Sequence, residues 1–279
     1  METLFNKWLE IAMAEDLGDG DHTSLSTLTT EATGNAKLIA KQTGILAGVD
    51  RAIQIFYKYS PHIEFNPILP DGTHVKPGDI AFTVHGPVQK LLAAERVVLN
   101  VMQRMSGIAT QTHEYCEIIK GTRARILDTR KTTPGMRVLD KESVRIGGGT
   151  NHRIGLFDMI LIKDNHVDFA GGIVQALEKA NRYINEKNMN LDIEIEVRSF
   201  EELDQVLNYG NVQRIMLDNF SVENTYKAVK IIAGRYLTES SGGITKTNIR
   251  AYAETGVDFI SVGALTHQIQ SLDLSLKAF

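Results

Sequence analysis

The order of apolar and polar positions divides the chain into two regimes. In the first, up to about residue 112, the pattern is mixed. Leu4, Trp8, Ile11 and Ala12 recur at helical spacing and predict a helix over 3–15, ended by Gly18. Residues 36–40 and 45–48 read as short strands, and Asp50 is placed to cap a helix over 52–59. The stretch 69–86 alternates between a Pro-Asp-Gly and a Pro-Gly-Asp turn, the signature of a small antiparallel β unit. An apolar helical stretch follows over 88–105, carried by Leu91, Leu92, Val98, Leu99 and Met102 and interrupted by Glu95, Arg96 and Arg104. Past Arg125 the rhythm changes. Short apolar runs at 125–128, 159–163, 192–197, 214–218, 236–240 and 259–263 alternate with helical patterns at 172–185, 200–209, 222–233 and 246–254.

Such a βα repeat admits two architectures, a barrel or a doubly wound sheet. Polar residues recur where the predicted strands end: Arg130-Lys131, Lys163, Glu196, Asp218, Glu239 and Gly263. Loops at those ends build the active site of a barrel, whereas an open sheet gathers its site at one switch point. The pattern favours a barrel, with fewer than eight clear strands. The expected organisation is an N-terminal α/β domain over 1–112 and an α/β barrel over 113–266, with the tail 267–279 packing back on the first. No dinucleotide or P-loop fingerprint is present, since Gly147 to Gly149 lacks the spacing and the strand–helix context.

Charge sharpens the picture. Between Arg123 and His166 stand nine Lys or Arg against five Asp or Glu, a net of +4 in a chain whose formal charge is −4. Arg130-Lys131 and Lys163 each end an apolar run, and His152-Arg153 follows three glycines, where backbone can approach a ligand closely. This placement suits a small polyanion; the alternative is a solvated loop region with ordinary surface ion pairs. Two late segments, Ser240-Ser241-Gly242-Gly243-Ile244 before a helix and Ser261-Val262-Gly263-Ala264 at the end of the last strand, read as phosphate holders or as tight turns. Glu196 and Asp218 end consecutive strands, where they either pair with Lys and Arg or hold a cation. Two carboxylates suit Mg²⁺ delivered with a diphosphate better than a caged ion. Glu194 shares the parity of Glu196 and is expected to face inward at another layer.

Other features read as structure. Asp16 to Asp21 fails the calcium-loop spacing and reads as a capped turn before Thr23. His74 and His85 read as surface histidines. The single cysteine, Cys116, reads as a buried structural thiol, forbids an intrachain disulfide and suits a reducing compartment. No apolar run reaches the ~20 residues of a membrane span, no secretory leader is evident, and nothing basic enough for nucleic acid is spread over the chain. A soluble, cytoplasmic protein is expected.

The motifs DTRKTTPG, GGGTNHR, LIKDNH, IEIEV, IMLDN, SSGGI and SVGALTH occur in that order, with ERVVLNVMQRMSGIAT upstream. Together they resemble the quinolinate phosphoribosyltransferase family over essentially the whole chain. The resemblance implies an incomplete, roughly seven-stranded α/β barrel behind an N-terminal α/β sandwich domain. It implies transfer of phosphoribosyl from phosphoribosyl diphosphate to quinolinate with loss of CO₂, in NAD synthesis, with Mg²⁺. It further implies that Arg96, Arg130, His152 and Arg153 hold the pyridine dicarboxylate, and that Lys131 and Lys163 serve carboxylates and phosphates. Glu196 and Asp218 would face the ribose and the Mg²⁺-diphosphate, and Ser241, Gly242, Gly243, Gly263 and Ala264 the phosphate. Arg96 would act across a homodimer interface in shared active sites, with higher oligomers open. Two rivals remain: a phosphoribosyltransferase of the same fold acting on nicotinate or another acid, and a non-catalytic barrel that binds phosphorylated metabolites.

Overall fold

A computed structural model describes residues 2–279. In chain order the elements are α1 (Glu2–Leu17), α2 (His22–Thr27), β1 (Thr33–Ala40), β2 (Gly44–Ile45), α3 (Val49–Tyr59), β3 (Glu64–Pro67), β4 (His74–Val75), β5 (Ile80–Pro87) and α4 (Val88–Ile118). There follow β6 (Arg125–Leu127), α5 (Arg137–Ile146), β7 (Ile160–Ile162), α6 (Asp164–Ala170), α7 (Ile173–Lys187), β8 (Ile193–Val197), α8 (Phe200–Tyr209), β9 (Arg214–Asp218) and α9 (Val222–Ile232). The chain closes with β10 (Leu237–Ser241), α10 (Ile249–Ala253), β11 (Phe259–Ser261), α11 (Ala264–His267) and β12 (Leu274–Ala278). Two compact units result. The chain up to His113, Lys131–Gly148 and Ala264–Phe279 make the first, and Glu114–Arg130 with Gly149–Gly263 make the second. The division is thus more interleaved than a cut near residue 112, because the segment after Arg130 belongs to the first unit.

The first unit is built on a four-stranded sheet in the order β12-β1-β5-β3, all its pairs antiparallel. Leu38 pairs with Phe82 on one side and Leu276 on the other, and their side chains join one core with Ile55, Phe56, Val98 and Met102. Strand β12 is the C-terminal tail, held along β1 from Ala36 to Ala40. As expected, Asp21 caps the turn before Thr23: its side chain accepts the Ser24 backbone N–H at 3.1 Å and starts α2. The expected cap of α3 is corrected. Gly48 is the N-cap in a left-handed conformation, Asp50 lies inside the first turn, and Asp71 accepts the Val49 N–H at 2.8 Å. Helix α4 runs unbroken through Gly107, where a side chain would strike the passing Gln270 backbone. Helix α5 was not legible in the pattern. Its sequence RVLDKESVRI buries Asp140 and Lys141 beside Val138, Leu139 and Val144.

The second unit is a parallel sheet in the order β6-β11-β10-β9-β8-β7. A seventh position is a single parallel bridge between Leu127 and Thr150. The incomplete barrel therefore has six strands and one bridge, with β7 at a free edge. Strands β8 and β9 bury Ile193, Ile195, Val197, Ile215 and Leu217 in one cluster with α7, α8 and α9 residues such as Leu177, Leu203 and Ala228. Ser199 caps α8 and Ser221 caps α9, each accepting the N–H three residues on.

Candidate active site

Period two fixes what remains. With Ile193, Ile195 and Val197 packed on the helices, Glu194 and Glu196 project from the other face of β8, and Arg214, Met216 and Asp218 do so from β9. A barrel interior is usually filled by layers of branched apolar side chains. Here its positions hold buried charges, with Glu194 and Glu239 fully excluded from solvent and Glu196 nearly so.

The cationic side is made by the ends of β6 and the bridged segment. Asp128, fully buried, accepts the His152 backbone N–H at 2.8 Å and the Asn151 side-chain amide at 2.6 Å, tying the two chain segments together. That places His152 and Arg153 in the interior, each 8 % exposed. Arg153 donates through Nη1 to the Met159 carbonyl at 3.1 Å, while its buried Nε has no partner. Burial, and next the neighbouring Arg130 guanidinium, pulls the Arg153 pKa below its usual range. Burial and a like charge nearby both disfavour the Arg153 guanidinium, and an anion beside it would relieve both. Asp158 organises the following loop by accepting the N–H groups of Ile154 and Gly155 at 2.7 and 2.9 Å.

The acidic side lies at the ends of β7, β8 and β9. Lys163 Nζ is 3.5 Å from Glu196 Oε2. Burial raises the Glu196 pKa, opposed by Lys163 and assisted by the negative charges of Asp218 and Asp164. Asp218 in turn accepts from the Asn219 amide at 2.7 Å. Glu196 and Asp218 thus converge without forming a three-ligand cage. Ser241 ends β10, and Gly242 and Gly243 follow at φ +93° and +62°. A side chain at Gly242 would collide with Asn219, whose N–H donates to the Ser241 carbonyl at 2.8 Å. The expected helix directly after this loop is corrected. A turn in which Thr245 N–H donates to Asn248 Oδ1 intervenes, and α10 begins only at Ile249. Gly263 follows β11, and Ala264 opens α11.

The remaining expected residues belong to the first unit. Arg96 is exposed on α4 and has no ion pair among the described residues, not even with the adjacent Glu95. Lys131 is exposed, and its carbonyl accepts from the Thr266 hydroxyl at 2.9 Å. The loop after it is braced by a bidentate pair that spacing did not reveal. Arg104 reaches both oxygens of buried Asp140 at 2.8 and 2.9 Å and also donates to Thr133 Oγ1 at 2.9 Å.

Sequence reading also missed a buried cluster in the second unit. Glu239 is not a strand-end residue but lies in mid-strand, a layer below the mouth. Arg214 Nη1 is 2.9 Å from Glu239 Oε2 and 3.8 Å from Glu194 Oε2, and His152 Nε2 is 3.0 Å from Glu194 Oε2. Part of the signal was available: within IEIEV and within RIMLD the charges share one parity, while Glu239 joins that face only through the register that pairs it with Met216.

Fold and site together define a class: an α/β-barrel protein whose interior carries arginines, a lysine and opposed carboxylates, with a glycine turn after β10. Comparison with known proteins makes this specific. Residues 21–106 match the quinolinate phosphoribosyl transferase N-terminal domain and residues 108–277 its C-terminal domain. The chain is 44 % identical to a carboxylating, chloroplastic nicotinate-nucleotide pyrophosphorylase of Arabidopsis thaliana, over 96 % of this chain and 81 % of that one. It is 42 % identical to a decarboxylating, mitochondrial quinolinate phosphoribosyltransferase of Nicotiana tabacum, over 96 % of this chain and 80 % of that one. The structure of the nicotinate-nucleotide pyrophosphorylase from Francisella tularensis superposes with a TM-score of 0.93 at 39 % identity, covering 100 % of this chain and 97 % of that one. This chain belongs to the quinolinate phosphoribosyltransferase family.

Proposed function

We propose that this chain transfers phosphoribosyl from phosphoribosyl diphosphate to quinolinate, releasing diphosphate and CO₂ and giving nicotinate mononucleotide for NAD synthesis. The observation that carries this reading is buried Arg153 beside the charge of Arg130, its Nε without a hydrogen-bond partner and its pKa pulled down by burial and by that neighbour. In this reading the pair holds a pyridine carboxylate by forked hydrogen bonds, and Arg96 and Lys131 supply further cationic contacts. The need for several cations favours two carboxylates over one. The glycine turn at 242 and 243 brings backbone close to a phosphate, with Ser241 beside it, and Gly263 and Ala264 follow β11 as the second phosphate segment of this reading.

Quinolinate nitrogen bonds to ribose C1 as the bond from C1 to diphosphate breaks. Positive charge spreads over the ribose, and Glu196 and Asp218 stabilise it as carboxylates do in glycoside cleavage. Lys163, 3.5 Å from Glu196, keeps that carboxylate oriented and presents its own charge to the leaving phosphates. The bond from C2 to its carboxylate then breaks, CO₂ departs, and the electron pair left on C2, beside the now cationic ring nitrogen, takes a proton. Two converging carboxylates fit Mg²⁺ carried in on the diphosphate, and when bound the ion would neutralise leaving-group charge.

The working form in this reading is a homodimer in which Arg96 serves the neighbour's site. Its lack of an ion pair supports this, as do the free β7 edge and the exposed apolar residues that flank β7 in sequence, Leu156 and Phe157 before it and Phe169 on α6 after it, 72, 70 and 91 % exposed. The test is direct: nicotinate mononucleotide must form from quinolinate and phosphoribosyl diphosphate. Turnover of nicotinate instead, or of neither acid, overturns the assignment.

A further inference from the structure

The cluster of His152, Glu194, Arg214 and Glu239 has no part in the chemistry described so far, and it is expensive. Each buried ionised group costs several kcal/mol unless its partners are well placed. Its geometry is specific. Glu194 Oε2 faces His152 Nε2 at 3.0 Å, Glu239 Oε2 faces the same nitrogen at 3.5 Å, and Arg214 bridges the two carboxyl groups. Arg214 is itself fixed, lying over the Phe259 ring at 4.3 Å.

Three histidine and carboxylate donors so close together invite a metal reading. The other ring nitrogen argues against it. Nδ1 of His152 accepts the Arg153 backbone N–H at 2.6 Å, so in the neutral ring the proton sits on Nε2. A protonated Nε2 donates to a carboxylate and has no lone pair for a cation. The guanidinium of Arg214 already supplies the positive charge the two carboxyl groups need. His152 is therefore held at two points, its N–H by Asp128 and its Nδ1 by the Arg153 backbone, while Glu194 Oε2 stands 3.0 Å from Nε2 and limits how the ring can turn.

We infer that Glu194, braced by Arg214 and Glu239, is a positioning residue that locks the His152 ring and through it sets Arg153 for the pyridine carboxylate. His152 then acts as a strut beneath the substrate rather than as a donor to it. This rests on the reading that Arg153 binds quinolinate. The lock has a directional consequence: it bears on quinolinate and leaves the phosphoribosyl diphosphate contacts, at Glu196, Asp218 and the glycine loops, in place.

The experiment compares Glu194→Leu with Glu194→Gln in the full chain, measuring KM for each substrate and kcat, alongside ¹⁵N spectra of histidine-labelled wild type. Glu194→Leu should raise KM for quinolinate about tenfold or more while KM for phosphoribosyl diphosphate stays within about twofold. Glu194→Gln keeps an acceptor oxygen and should recover most of that loss. The His152 ring in the wild type should carry its proton on Nε2. Equal changes in both KM values, or an unchanged KM for quinolinate, overturn the inference, as does a proton on Nδ1. Stoichiometric metal in purified wild type that is absent from Glu194→Gln overturns it as well. Should Glu194→Leu fail to fold, the glutamine variant and the ring spectrum still decide. If quinolinate is not a substrate at all, the functional reading fails by itself, while the spectrum continues to test the lock.

Discussion

Glu239→Gln should stabilise the protein, and increasingly so as pH rises. Burial first, and the adjoining Glu194 carboxyl next, push the Glu239 pKa from 4.5 up to about 8, opposed by His152 and Arg214. Because the folded-state pKa is raised, the native chain holds more protons than the unfolded chain between those two values. Stability is then fully retained below the unfolded pKa and falls as pH climbs to the folded one. The slope is about 1.4 kcal/mol per pH unit, and the whole interval is worth on the order of 5 kcal/mol. Glutamine has the shape of the neutral acid, can accept from Arg214 through its carbonyl oxygen, and does not titrate. The assay is urea unfolding of wild type and variant at matched pH values from about 5 to about 8.5, read as the difference between the two proteins so that shared groups cancel. The difference should be small at the acid end and grow to several kcal/mol at the alkaline end. Curves that stay parallel across this range would refute the burial of a titrating carboxyl at this position.

The proposed site makes further demands. Lys131→Ala and Lys163→Ala should each lower turnover at least tenfold, about 1.4 kcal/mol of transition-state stabilisation, and wild-type kinetics would mark them as surface lysines. Calorimetry should find only weak Mg²⁺ binding, on the order of millimolar, to the free protein, since Glu196 and Asp218 alone do not cage an ion; tight stoichiometric binding contradicts this. Gly242→Ala forces a side chain onto Asn219 at φ +93° and should raise KM for phosphoribosyl diphosphate more than KM for quinolinate. Mixing Arg96→Ala with Lys163→Ala chains should restore about a quarter of the sites if Arg96 serves the neighbour's site in a symmetric dimer, and none if it serves its own, given demonstrated subunit exchange.

Much of the fold was legible because the signals were local. Helix 200–209 and strand 214–218 fall where the apolar periods put them. The failures share a cause. Helix α5 has few apolar positions, and what buries its polar face is the Arg104–Asp140 pair, whose members lie 36 residues apart. Asp50 looked like a cap because a carboxylate stood at the right place, but Asp71 arrives from 22 residues away to do that work. In the site, strand-end residues such as Lys163, Glu196 and Asp218 were readable from position alone. The support beneath them was not, since the proximity of His152, Glu194 and Glu239 depends on how strands β8 and β10 and the segment after the Leu127–Thr150 bridge close around one interior.

That support explains why an interior normally filled by leucine and valine carries charge here. An apolar triad of similar volume would cost no desolvation and would be expected to raise stability by about 1–4 kcal/mol. It would also leave the His152 ring free to turn and Arg153 without a fixed backbone, at a place where two guanidiniums already repel. Stability and placement therefore oppose each other over the cluster as a whole. Replacement of Glu194 alone leaves His152 and Arg214 buried, so it should cost stability while weakening quinolinate binding selectively. A variant that lost stability and both substrates together would instead mean that the cluster holds the barrel and nothing more.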